Sequence, residues 1–94
     1  VANSIPLNIL VLGCITDDYE MKASIYSKTV HLMQHIDEYA RSVIYAEILS
    51  LVELGYAECY EANYGTACIW RYFRITNKGK RKLAATRKEI NAYA

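Results

Sequence analysis

Three cysteines, an odd number with no Cys-x-x-Cys pair among them, give this chain neither a disulfide framework nor a zinc-binding spacing. Cys14, Cys59 and Cys68 are expected to be reduced, half-buried thiols, as is common for free cysteine in a small domain. Long apolar runs are also missing. The longest, which starts at residue 9 and includes Gly13, is far too short to span a bilayer. No charged n-region leads into an apolar stretch and a cleavage site, so no signal peptide is expected. A soluble cytoplasmic protein without a membrane partner is the default. There is no glycine-rich phosphate loop, and neither Cys14 nor any serine has a recognisable base or oxyanion setting, so no enzyme is expected. His31 and His35 stand four residues apart, a spacing that can share a metal on a helix, but no third ligand accompanies them. No metal or cofactor is expected.

Positive charge is scarce over most of the chain. Residues 1–66 hold three cations against nine acidic residues, a net −6, whereas residues 67–94 hold eight cations against Glu89, a net +7. This split hides inside a formal charge of only +1. It implies a basic face for a polyanion or for an acidic partner. With 94 residues, 53% of them hydrophobic, the chain can bury one core, and a single domain over 1–94 is expected.

The pattern along the chain reads as helix, helix, helix, hairpin, helix. Pro6 suits a first helical turn with Ser4 as its N-cap, opening a short helix at about residues 5–15. Thr16 or Asp17 is read as the cap of a second helix, with Asp18 and Glu20 at its positive end. In that helix the polar, β-branched run Ser27-Lys28-Thr29-Val30 is a candidate interruption. From Arg41 onward Ile44, Ile48, Leu51 and Val52 recur at helical spacing, and Gly55 supplies the left-handed stop. Two strand-like runs follow, 57–62 and 68–76, joined by Asn63-Tyr64-Gly65-Thr66. Alternation puts Ile69, Phe73 and Ile75 on one face of the second strand and Trp70, Tyr72 and Arg74 on the other. Thr76 is a candidate cap for a final helix over 77–92, with Leu83 and Ile90 on one face.

Three helices followed by a two-stranded wing and a C-terminal helix make an α+β, mostly helical, winged helix-turn-helix. The stretch from Ile44 to Tyr56 resembles the recognition helix of PadR-like and MarR-like regulators, with an aromatic, spaced aliphatics and a glycine before the wing. The run Tyr72-Phe73-Arg74-Ile75-Thr76-Asn77-Lys78-Gly79, with Leu83 beyond, resembles their second wing strand and following turn. Upstream, Tyr19-Glu20-Met21 is similar to the start of the second helix in the PadR group. Where that group usually has proline after the tyrosine, this chain has Ala46.

The resemblance implies a third helix in the major groove and a wing on the flanking backbone of double-stranded DNA. Carried over by position, Ser42, Tyr45, Ala46 and Ser50 would face the groove, with Arg41 at the helix start. Arg71 and Arg74 would meet phosphates, and Lys78, Lys80 and Arg81 extend the basic surface. Serine can bond to base edges or phosphate and alanine can touch a thymine methyl, but the usual bidentate readers are missing. Asp37, Glu38, Glu47 and Glu53 oppose a polyanion, because affinity rests on cations neutralising phosphates. A homodimer is expected, with Leu7, Leu10, Leu83 and Ile90 as candidate contacts. The alternative is a winged helix serving protein interaction through its charge asymmetry and the aromatics Tyr60, Tyr64, Trp70 and Tyr72.

Overall fold

The computed structural model describes residues 6–32, 41–63, 65 and 69–92, with side chains described as far as Lys88. In chain order its elements are α1 (Leu7–Gly13), β1 (Glu20–Met21), α2 (Lys22–Leu32), α3 (Arg41–Glu53), β2 (Ala57–Asn63), β3 (Ile69–Ile75) and α4 (Asn77–Ala92). The winged-helix expectation holds, with one addition. The sheet has three strands rather than two, in the antiparallel order β1-β3-β2.

The third strand overturns the reading of Thr16 to Glu20 as a helix start. Glu20 pairs with Phe73 and Met21 with Tyr72, so this segment borrows the free edge of β3. The Thr16 hydroxyl donates to Glu20 Oε1 at 2.7 Å instead of capping a helix. Ser24 and Lys28, one and two turns into α2, donate to the same carboxylate at 2.8 Å and 2.7 Å. Glu20 therefore ties the strand to the helix that follows it. The polar run in α2 does not interrupt it. Ser27 and Thr29 donate their hydroxyls to the carbonyls four residues back, at 3.0 Å and 2.8 Å, which satisfies them inside the helix. Thr29 is thus fully buried without cost from an unpaired group.

α1 is shorter than expected. Its carbonyl ladder starts at Pro6, whose C=O accepts from Ile9 and Leu10, both at 3.1 Å. Ser4, the expected cap, lies outside the described residues, as do His35, Asp37, Glu38, Tyr64, Thr66 and Cys68 and the side chain of Ile90.

α3 follows its sequence pattern. Ile44, Ile48 and Leu51 are buried, Val52 is partly so, and they meet Val11, Leu12, Ile25, Phe73 and Ile75 in one core. Gly55 closes the helix at φ +82°, with Gly55 N–H bonded to Val52 C=O at 3.0 Å and Tyr56 N–H to Leu51 C=O at 2.9 Å. This is the hydrogen-bond pattern of a Schellman stop, which needs a residue that tolerates the left-handed region. In β3 only Phe73 and Ile75 reach the core. Ile69, expected beside them, is 56% exposed at the turn end of the hairpin, opposite Asn63.

The start of α4 is built against the end of α3. Thr76 Oγ1 accepts from Gly79 N–H at 3.0 Å and donates to Gly55 C=O at 2.6 Å, so one hydroxyl caps α4 and holds the α3 stop. Lys78 reaches the same place, donating from Nζ to Leu54 C=O at 2.8 Å and standing 5.2 Å from the centre of the Tyr56 ring.

Candidate nucleic-acid interface

The exposed side of α3 carries Ser42, Ala46, Leu49, Ser50 and Glu53, which recur at i, i+4, i+7, i+8 and i+11 and so share one stripe. Leu49 is 50% exposed and extends this stripe. Sequence reading passed over it because it sits one position from the core residue Ile48. Glu47 is half-buried on the flank away from Tyr45. Of the acidic objections on the helix itself, only Glu53 shares the exposed stripe, in the last turn.

Tyr45 lies half-buried at the other flank. Its ring meets Tyr26 of α2 edge-on, with centroids 6.0 Å apart and planes at 72°. Each ring holds a cation. Lys22 Nζ stands 4.6 Å from the Tyr45 centroid, and Arg41 Cζ stands 5.0 Å from the Tyr26 centroid. Lys22, Tyr45, Ile48, Leu49, Arg71 and Phe73 line a recess of about 40 Å³ where α2, α3 and β3 meet. Lys22 was not singled out from sequence. Its only local signal was a position next to Met21, and the partner that holds it lies on another helix.

The structure splits the expected wing arginines. Alternation places Arg71 and Arg74 on opposite faces of β3. Arg71 is on the α3 side, with Nε 3.3 Å from Glu61 Oε1 across the hairpin. Arg74 is on the outer face, ion-paired with Glu58 and standing 4.6 Å from the Tyr19 ring centroid. The hydrogen bond to Glu58 is the main cause of its raised pKa. Lys80 pairs with Asp17, and these two pairs border the same depression, which no residue of α3 lines. Lys78 is committed to the α3 terminus through its bond to Leu54 C=O. Arg81 is exposed on α4.

The outer face of the sheet is aromatic. Tyr19 and Tyr60 lie 5.6 Å apart and Tyr60 and Tyr72 lie 6.4 Å apart, with Tyr60 52%, Trp70 42% and Tyr19 40% exposed. On the inner face, burial and then the Glu61 charge push the Cys59 thiol up, which disfavours a thiolate there. Among the described residues no group of three or more His, Cys, Asp or Glu side chains could hold a metal ion, and no helix is long and apolar enough to cross a membrane.

No family model matches the chain, and no curated protein matches it in sequence. Solved structures do match its fold. A PadR family transcription regulator from hypervirulent Clostridium difficile superposes with a TM-score of 0.72 at 17% identity, covering 93% of this chain and 88% of that one. Bacillus subtilis PadR, solved in complex with operator DNA, gives 0.68 at 22% identity, covering 84% of this chain and 45% of that one. A protein of Streptococcus mutans gives 0.68 at 20% identity over 93% of this chain and 77% of its own. The fold is thus the winged helix found in PadR family regulators.

Proposed function

We propose that residues 1–94 form one PadR-like winged-helix domain that binds double-stranded DNA as a cytoplasmic, non-enzymatic transcriptional regulator. The observation that carries this reading is the exposed stripe of α3, in which the small side chains of Ser42, Ala46 and Ser50 are open to solvent. Its fold is shared with a PadR protein solved on operator DNA. In this reading Ser42, Ala46 and Ser50 meet base edges, Tyr45 and Arg41 flank them, and Arg71 reaches the backbone beside the recess. Lys78 sits at the C-terminal end of α3, and Arg74, Lys80 and Arg81 contribute to the general field. Few polar readers on the stripe imply backbone-dominated affinity with modest sequence preference.

Dimerisation fits an apolar cleft of about 240 Å³ between α1, α2 and α4, lined by Ile9, Leu10, Gly13, Leu32, Leu83, Thr86 and Arg87. A second copy on this cleft would set two α3 helices against two half-sites. Anisotropy titration of a labelled duplex with the chain across salt concentrations tests the DNA reading, and sedimentation equilibrium tests the dimer. Binding at low salt that weakens steeply as salt rises is expected. No binding at the lowest salt would end the DNA reading.

The exposed rings of Tyr19, Tyr60 and Trp70 favour a second reading, a protein-interaction module. Rigid aromatics are enriched at such interfaces. Its mark would be a partner protein lost on Tyr60→Ala while DNA binding is absent.

A further inference from the structure

The two wing arginines, and Lys80 at the start of α4, are already matched by carboxylates. Arg71 faces Glu61, Arg74 faces Glu58 and Lys80 faces Asp17. A phosphate approaching any of them competes with an attached anion, so each offers less than its formal charge. Lys22 and Arg41 differ. Among the described residues neither takes part in an ion pair, and each is held instead on the face of a tyrosine.

A ring and a carboxylate hold a cation in different ways. The ring quadrupole attracts it by about 0.5–1 kcal/mol at an exposed site but adds no compensating charge. The ammonium on Tyr45 therefore keeps its full positive charge while losing some rotamer freedom before any ligand arrives. Ordering a long side chain on binding otherwise costs about 0.5–1.5 kcal/mol. The two rings brace each other across the α2–α3 contact, and each packs against the core. The result is a pair of preset cations on the flank of the α3 stripe that no carboxylate among the described residues neutralises, with Lys22 at the rim of the recess it shares with Tyr45, Leu49 and Arg71.

We propose that Lys22 and Arg41 form a phosphate-binding pair beside the α3 stripe, with Tyr45 and Tyr26 as the positioning residues that preset them. The proposal rests on the DNA reading above and names which cations carry its charge. It shifts the principal backbone contacts from the wing to the helix-turn-helix. Nothing in it requires base-specific contact, so Lys22 should matter equally on every duplex.

The test is the salt dependence of binding, which reads phosphate neutralisation and is not moved by a merely structural role. A labelled random-sequence duplex is titrated with the full chain between about 50 and about 200 mM salt. Lys22→Gln keeps much of the aliphatic stem and removes the charge. It should lower the slope of log K against log salt by about 0.9, the value for one lost phosphate contact. Lys22→Arg keeps both charge and ring stacking and should restore the slope. Lys82→Gln removes the same charge from an exposed position on α4 and should leave the slope unchanged.

An unchanged slope in Lys22→Gln overturns the proposal while leaving the DNA reading intact. Equal falls for Lys22→Gln and Lys82→Gln also overturn it, because the cations would then act through net charge alone. If the unsubstituted chain fails to bind at any salt, the DNA reading itself fails, and this proposal with it. Tyr26→Leu provides the positioning arm. With Arg41 still charged but released, affinity should fall on all duplexes while thermal unfolding confirms a folded chain. Unchanged affinity would remove Tyr26 from the assignment.

Discussion

A Cβ placed on Gly79 would stand 2.1 Å from the carbonyl oxygen of Tyr56, and 2.8 Å from Ile75 Cγ1. The first turn of α4 therefore touches the backbone that leaves α3, and only hydrogen fits between them. The obstacle is backbone, which cannot rotate aside as a side-chain end can. Gly79→Ala should destabilise the fold by about 2 kcal/mol or more, at the upper end of overpacking costs. Urea denaturation followed by circular dichroism measures it. A loss below about 0.5 kcal/mol would mean that the two helices separate without penalty.

Thr76 joins the same two helices by hydrogen bonds. Its hydroxyl hydrogen goes to Gly55 C=O, and its oxygen receives Gly79 N–H. Thr76→Val keeps the shape and loses both. The missing cap alone costs about 1 kcal/mol, and the partly buried Gly55 carbonyl loses a donor besides. Thr76→Ser should recover most of the melting temperature that Thr76→Val loses. Equal losses in the two variants would assign the effect to the methyl group.

These two residues also show what the sequence carried openly. Thr76, Gly55 and the Ile44, Ile48 and Leu51 stripe were legible because caps, stops and helical faces depend on neighbours within a few positions. β1 was not, since Glu20 and Met21 become a strand only by pairing with residues some fifty positions later. Two acidic residues after a threonine look locally like a helix start, and tertiary pairing overrode that signal. The wing arginines illustrate an intermediate case. Their ion pairs follow directly from the hairpin register, in which Glu58 faces Arg74 and Glu61 faces Arg71. Counting both strands from the turn could have revealed them, but the turn read over 63–66 is shorter than the link between Asn63 and Ile69, which face each other. The tyrosine-held cations required the packing of α2 on α3 and had no such local signal.

Glu20 makes the fold sensitive to acid. Burial opposes its charge, but hydrogen bonds from Lys28, Thr16 and Ser24, together with the Lys28 charge, outweigh that effect and lower its pKa. A carboxyl with a depressed folded-state pKa stabilises the fold above its unfolded value and loses that contribution as pH falls through the folded one. The contribution should be complete near neutrality and decline below about pH 4, the ordinary range for glutamate. Glu20→Gln should be less stable than the unsubstituted chain at pH 7, and the gap should narrow as the pH is lowered through that window. A gap that stays constant from neutral to acid pH would show that the carboxylate charge is not what holds β1 to α2.

The carboxylates opposite the wing arginines make the final prediction one of gain rather than loss. Glu61 occupies Arg71 on the α3 side of the sheet, and both side chains are 55% exposed, so the pair itself adds little stability. Glu61→Gln keeps the side-chain shape, removes an anion and leaves Arg71 free beside the recess that Lys22 borders. If DNA lies along the α3 stripe, this variant should bind more tightly, and its salt slope should steepen by up to about 0.9 as Arg71 neutralises a phosphate of its own. Glu58→Gln provides the internal comparison. It frees Arg74 on the opposite face, where a duplex on α3 does not reach, so any gain there should be small and should come without the added slope. Equal steepening by the two variants would place DNA across both faces of the wing, which one duplex lying on α3 cannot do. Steepening by Glu58→Gln alone would move the interface to the aromatic outer face of the sheet.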